Sequence, residues 1–144
     1  MHTEKKRVLF LCTHNSARSQ MAEGLLRHMA GDRFEVFIAG TEQTRVHPLA
    51  IEAMHEVGLD ITAHTSKTLD TLAGQQFDYA ITVCDRANES CPIFPGATQR
   101  IHWSFDDPSA ATGSDEERLS AFRRIRDEIA ARLRTFAAEG IESS

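Results

Sequence analysis

Short apolar runs alternate with stretches of helical periodicity along this chain, and that alternation is its strongest constraint. Arg7–Cys12 (RVLFLC), Phe34–Ala39 (FEVFIA, closed by Gly40) and Phe77–Cys84 (FDYAITVC) read as buried strands. Gln99–Trp103 reads as a fourth strand, with Ile101 and Trp103 on one face. Between them, Ser19–Met29 places Met21, Ala22, Leu25, Leu26 and Met29 on one helical face. Pro48 suits a first helical turn, and Leu49, Ala53, Met54 and Val57 form a stripe before Gly58. Ser114 and Glu117 form a capping box. The helix it opens carries Leu119, Phe122, Ile125, Ile129, Leu133 and Phe136, at spacings of 3, 3, 4, 4 and 3. Thr68–Ala73 and Asp85–Ser90 are short helix candidates, and Ile61–Lys67 is irregular or briefly extended. The pattern predicts one α/β domain over residues 1–144, with a four-stranded parallel sheet and helices on both faces.

Composition removes several function classes. With 16 Lys and Arg against 21 Asp and Glu, the formal charge is −5, which argues against a general nucleic-acid binder. Apolar residues make up 41% and charged residues 26%, ordinary globular usage rather than that of a disordered chain. No apolar run is long enough to span a membrane. The run Val8–Cys12 is too short for the hydrophobic region of a signal peptide, so a cytoplasmic protein is expected. The 3 cysteines do not fit a paired disulfide framework, and in a reducing compartment they are catalytic, redox-active or simply buried.

The first cysteine stands where ligands bind in α/β sheets, at the carboxyl end of a strand. Cys12 is followed by Thr13, His14, Asn15, Ser16, Ala17, Arg18 and Ser19, and then by a helix. Five residues can curl their amides inward as a nest, and the helix N-terminus adds free N–H groups and a positive dipole end. Arg18 contributes a planar fork that matches two oxygens of a tetrahedral oxyanion. The same field favours the thiolate of Cys12. Asn15 tolerates the left-handed backbone such a cradle needs, and His14 sits at its rim. A cysteine packed at a strand end is the plainer alternative. The 7 histidines show no metal-binding spacing, so no metal centre is expected.

Two further segments fall at the same sheet edge. Cys84 ends the third strand, and Cys91 follows seven residues later, before Pro92. On a helix their Cα atoms would be about 10.5 Å apart, beyond the span of a disulfide, so pairing requires the segment to rearrange. Incidental cysteines on a short surface helix are the alternative. Phe105-Asp106-Asp107-Pro108 follows the fourth strand, and a carboxylic acid there could protonate a leaving oxygen. An Asp-Pro pair can also merely start a turn.

Taken together these residues resemble the thioredoxin-coupled arsenate reductases, which share the fold of the low-molecular-weight tyrosine phosphatases. The resemblance runs from about Val8 to Phe136. It rests on Cys12-Thr-His-Asn-Ser-Ala-Arg18-Ser19-Gln-Met-Ala-Glu23, on Val83-Cys84 through Cys91-Pro92, and on His102-Trp103-Ser-Phe-Asp-Asp107-Pro108. It implies that residues 13–19 bind arsenate, with phosphate or sulfate as competitors, and that Cys12 attacks it. It implies Asp107 as the proton donor, Cys84 and then Cys91 as resolving thiols, and thioredoxin as reductant. The phosphatase loop usually has Gly in place of His14 and Cys in place of Ala17, so these two residues favour reduction. Some members bind potassium through residues matching Asn15 and Glu23 together with a Ser and an Asp. Here Ile38 and Lys67 stand at those two places, so neither metal nor cofactor is expected, and the Lys67 amine could supply the charge.

A phosphatase acting on phosphate monoesters is the second hypothesis, since it needs Cys12, Arg18 and Asp107 but not Cys84 or Cys91. After Pro108 the chain reads Ser109-Ala110-Ala111, with no aromatic for a phosphotyrosine ring. A non-catalytic oxyanion-binding or redox-sensing module is the third. No extra apolar face is evident, so a monomer without nucleic-acid or membrane partners is expected.

Overall fold

A computed structural model describes residues 6–12, 17–40, 47–62, 72, 74–83 and 96–139. Its elements are β1 (Lys6–Cys12), α1 (Arg18–Ala30), β2 (Phe34–Gly40), α2 (Pro48–His55), β3 (Phe77–Thr82), β4 (Ala97–His102), a 3-10 turn (Pro108–Ala110) and α3 (Asp115–Glu139). The four strands form one sheet in the order β2-β1-β3-β4, and every neighbouring pair is parallel.

The order puts β1 in the interior, which explains its unbroken apolar run. Val8 and Phe10 face a large core shared with α1, α2 and α3. Leu9 and Leu11 face the opposite side, with Ala39, Leu72, Phe77 and Ala80. Of the segments expected to cover that second side, Leu72 alone is described from 68–73, and 85–90 lies outside the described residues. Near the amino end of the sheet, the Arg7 guanidinium lies over the rings of Phe37 and Phe77, 4.8 and 4.5 Å from their centroids.

The stripe of α3 is buried along its whole length, from Leu119 to Phe136. Phe136 meets Phe34, Tyr79 and Trp103 at ring-centroid distances of 5.1, 5.3 and 5.8 Å, so the helix is keyed to both β2 and the β3–β4 side of the sheet. The capping box forms as expected: Glu117 N donates to Ser114 Oγ at 3.2 Å, and Ser114 N donates to Glu117 Oε1 at 2.9 Å. These bonds hold the Glu117 carboxyl below the usual carboxylate range. Replacing Ser114 by alanine is expected to lower Tm by about 3 °C, read by thermal unfolding, with no change in how the sheet is built.

Element boundaries differ from the sequence reading, most of all in β3, β4 and α2. β3 ends at Thr82 rather than Cys84; just past it, Val83 N donates to Leu11 O at 2.9 Å, and Trp103 N donates to Thr82 O at 2.8 Å. β4 begins two residues early, at Ala97, and ends at His102. α2 ends at His55, and Gly58 turns the chain with φ 83. Val57 therefore leaves the apolar stripe and is 47% exposed.

Candidate active site

The carboxyl edge of the sheet lines up the ends of all four strands. Cys12 is in register with Gly40 on β2, and Leu11 with Thr82 on β3, which is in register with His102 on β4. Cys12 is thus the last residue of an interior strand, and α1 starts at Arg18, six residues on. Ala17 is the N-cap, and it has no side-chain oxygen with which to cap the helix. The first turn of α1 also holds no acidic residue, so its own sequence leaves the positive end of the helix dipole uncompensated. Ser19 and Gln20 are completely buried in that turn.

Arg18 is the pivot of the described geometry. Its side chain is 3% exposed. One guanidinium nitrogen donates to the carbonyl of Phe105 at 3.1 Å, and the other lies 3.8 Å from Asp107 Oδ2. The start of α1 is thereby fastened to the loop after β4, across a sequence separation of 87. Asp107 itself is held by the turn that follows it. Pro108 is buried, and Ala110 N donates to Asp107 O at 3.1 Å. Asp106, next to it, pairs with Arg124 of α3 at 3.3 Å. The acid is therefore carried on a short segment anchored by a buried arginine on one side and by α3 on the other. Its side chain is 28% exposed, open enough to meet a substrate.

Of the residues expected to form the site, Arg18, Ser19, Ala17 and Asp107 are described with their side chains, and Cys12 by its backbone. Arg18 and Asp107 are brought together. Thr13, His14, Asn15, Ser16, Cys84 and Cys91 lie outside the described residues, as does Lys67. Glu23 is buried and pairs with Arg27 at 2.8 Å, while Ile38 packs in the core. Among the described residues no group of three or more His, Cys, Asp or Glu could hold a metal ion. No helix among them is long and apolar enough to cross a membrane.

Two polar features near this edge were missed in the sequence. Thr82 Oγ1 and His102 Nδ1 are 2.5 Å apart, joining the last residues of β3 and β4. Two hydrogen-bonding side chains near the carboxyl ends of neighbouring strands were the available signal. His47 is the second. It caps α2, its Nδ1 accepting from Leu49 N at 3.1 Å. A hydrogen-bonding side chain directly before a helix-opening proline was its signal.

Comparison with known proteins agrees with this arrangement. The low molecular weight phosphotyrosine protein phosphatase family matches residues 7–143. An arsenate reductase of Halalkalibacterium halodurans is 48% identical over 136 residues, covering 94% of this chain and 98% of that protein. A solved arsenate reductase in the phosphate-binding state superposes with a TM-score of 0.79 at 31% identity, over 93% of this chain and 98% of that one. A thioredoxin-dependent arsenate reductase of Corynebacterium glutamicum gives 0.71 at 30% identity, over 100% of this chain and 66% of that one. A strand that ends in a cysteine, a buried arginine at the head of the next helix, and an aspartate held beside it are thus features of a chain that belongs to the low molecular weight phosphotyrosine protein phosphatase family and, within it, to the arsenate reductases.

Proposed function

We propose that this protein reduces arsenate to arsenite by a relay of three cysteines, with thioredoxin as the reductant. The observation that carries the reading is the buried Arg18, which joins the head of α1 to the Asp107 loop beside the strand that ends in Cys12. A tetrahedral oxyanion seated there meets a cation, a helix N-terminus and an acid at once. Similarity to arsenate reductases across nearly the whole chain favours arsenate as that oxyanion. The thioredoxin-dependent enzyme of Corynebacterium glutamicum supports the choice of reductant.

The Cys12 thiolate attacks arsenic, and one oxygen leaves as water with the proton delivered by Asp107. Cys84 as thiolate then attacks the Cys12 sulfur. The S–S bond forms as the S–As bond breaks, the electron pair stays on arsenic, and arsenite departs. Cys91 attacks Cys84, which frees Cys12 and leaves a Cys84–Cys91 disulfide. The thioredoxin dithiol reduces that bridge and is itself oxidised. Thr13, His14, Asn15, Ser16, Ala17 and Ser19 are assigned with Arg18 to the oxyanion cradle, where phosphate and sulfate compete.

A coupled assay tests this. Arsenate is expected to drive NADPH oxidation in the presence of thioredoxin and thioredoxin reductase, and Cys84→Ser is expected to stop it. Absence of arsenate turnover, together with p-nitrophenyl phosphate hydrolysis that Cys84→Ser leaves intact, would make the protein a hydrolase instead.

A further inference from the structure

Two aspartates stand side by side on the loop after β4, and the structure gives them different partners. Asp107 Oδ2 lies 3.8 Å from the Arg18 guanidinium, and its side chain is 28% exposed. Asp106, 68% exposed, takes Arg124 of α3, whose Nη2 donates to Asp106 Oδ2 at 3.3 Å. The other terminal nitrogen of Arg124, Nη1, donates to Glu128 Oε2 at 2.8 Å, one turn further along α3. The guanidinium is thus braced on its own helix before it meets the loop.

The loop backbone explains why the two carboxylates part. Trp103 and Phe105 are buried while Ser104 and Asp106 are exposed, the two-residue alternation of an extended chain. Phe105 fixes that alternation from the inside, since its side chain is buried and its carbonyl accepts from Arg18 at 3.1 Å. Toward α3 the loop has less to rest on. A cleft of about 440 Å³ opens there, lined by Ser104, Phe105, Glu128 and Arg132 among others. Arg124 reaches from the helix to the loop at Asp106, one residue before the acid.

We propose that Arg124 is a positioning residue for proton transfer: by holding Asp106 to α3, it fixes the rotation of the loop that sets Asp107 beside Arg18. The inference rests on the arsenate-reductase reading, in which Asp107 gives a proton to the leaving oxygen. Without Arg124 the Asp106 carboxylate loses its cation, and the loop can turn about Phe105 and carry Asp107 with it. A shift of about 1 Å in a group that must meet the reacting atoms is enough to slow a reaction. The pair is exposed, so it adds little to stability and is screened by salt, and the loss of rate is correspondingly modest.

A double-mutant cycle on turnover tests this, with wild type, Arg124→Ala, Asp106→Ala and the double variant assayed against arsenate with thioredoxin and its reductase. Each single substitution is expected to lower kcat about threefold, with KM within about twofold and Tm within about 3 °C of wild type. The double variant is expected to be no slower than either single one, because both remove the same tie. Arg124→Lys, which keeps the charge and a donor, is expected to fall between wild type and Arg124→Ala. Raising salt from about 50 mM to about 500 mM is expected to bring wild-type kcat down toward that of Arg124→Ala, whose own kcat changes less. Losses that multiply in the double variant, or a kcat for Arg124→Ala equal to that of wild type, would overturn the proposal while leaving the reductase reading intact. Crystal structures of wild type and Arg124→Ala add a readout that needs no turnover. The Asp107 carboxylate is expected to leave its place beside Arg18 in the variant, and an unmoved carboxylate would refute the role given to Arg124. If wild type turns over no arsenate, the reductase reading fails, and that structural comparison still decides whether Arg124 places Asp107.

Discussion

Arg18→Lys is expected to lower kcat/KM for arsenate by about three orders of magnitude, roughly 4 kcal/mol of transition-state stabilisation, while the protein still folds. The substitution keeps the charge and removes the geometry. A lysine ammonium is a point donor, whereas the Arg18 guanidinium reaches the Phe105 carbonyl with one nitrogen and the Asp107 carboxylate with the other. A lysine that turns toward a bound oxyanion gives up the Phe105 carbonyl, and one that keeps that carbonyl presents no fork to the substrate. Both the binding of arsenate and the placement of its acid are weakened by one change. Arg18→Ala adds a stability cost, because a buried carbonyl loses its donor at about 1–3 kcal/mol. Steady-state kinetics with thermal unfolding separate the two effects. A kcat/KM for Arg18→Lys within tenfold of wild type would show that charge alone suffices and that the fork to Phe105 and Asp107 has no part in the reaction.

The fold was largely legible because its elements differ in how many faces they bury. β1 is covered on both sides and reads as a continuous apolar run, and α3 is covered on one side and reads as a stripe from Leu119 to Phe136. The Ser114–Glu117 box was legible because it is local, its two bonds spanning three residues. Val57 was misassigned because periodicity continues past the point where Gly58 turns the chain. The site was legible as separate motifs but not as a connected object. Nothing near Arg18 in the sequence says that its side chain ends on the Phe105 carbonyl. That contact follows from the order β2-β1-β3-β4, which puts the carboxyl end of β4 one strand away from β1's neighbour and lets the loop after β4 fold back over the head of α1. Likewise, nothing near His47 in the sequence says that its ring lies 4.7 Å from that of Phe122, a contact made by packing α2 against α3.

The largest effects are expected from the cysteines, and the three variants are expected to fail at different stages. Cys12→Ser should bind an oxyanion and do nothing further, since an unactivated hydroxyl is a far weaker nucleophile than a thiolate held at a helix N-terminus. Cys84→Ser should form the arsenic adduct at Cys12 and release no arsenite, because no second sulfur is available to accept the S–S bond. Cys91→Ser should release one arsenite per enzyme and then stop, trapped with Cys12 and Cys84 joined and no thiol to reopen the bridge for thioredoxin. Steady-state turnover is therefore lost in all three, and a single-turnover experiment distinguishes them by the arsenite released and by the mass of the trapped species. In the proposed relay Cys91 acts last; were residues 84–91 helical, their terminal Cα atoms would be about 10.5 Å apart, beyond the span of a disulfide, and pairing would require the segment to rearrange. If Cys91→Ser sustained multiple turnovers with thioredoxin, the Cys12–Cys84 bridge would itself be accessible to the reductant, and the third cysteine would have no part in the relay.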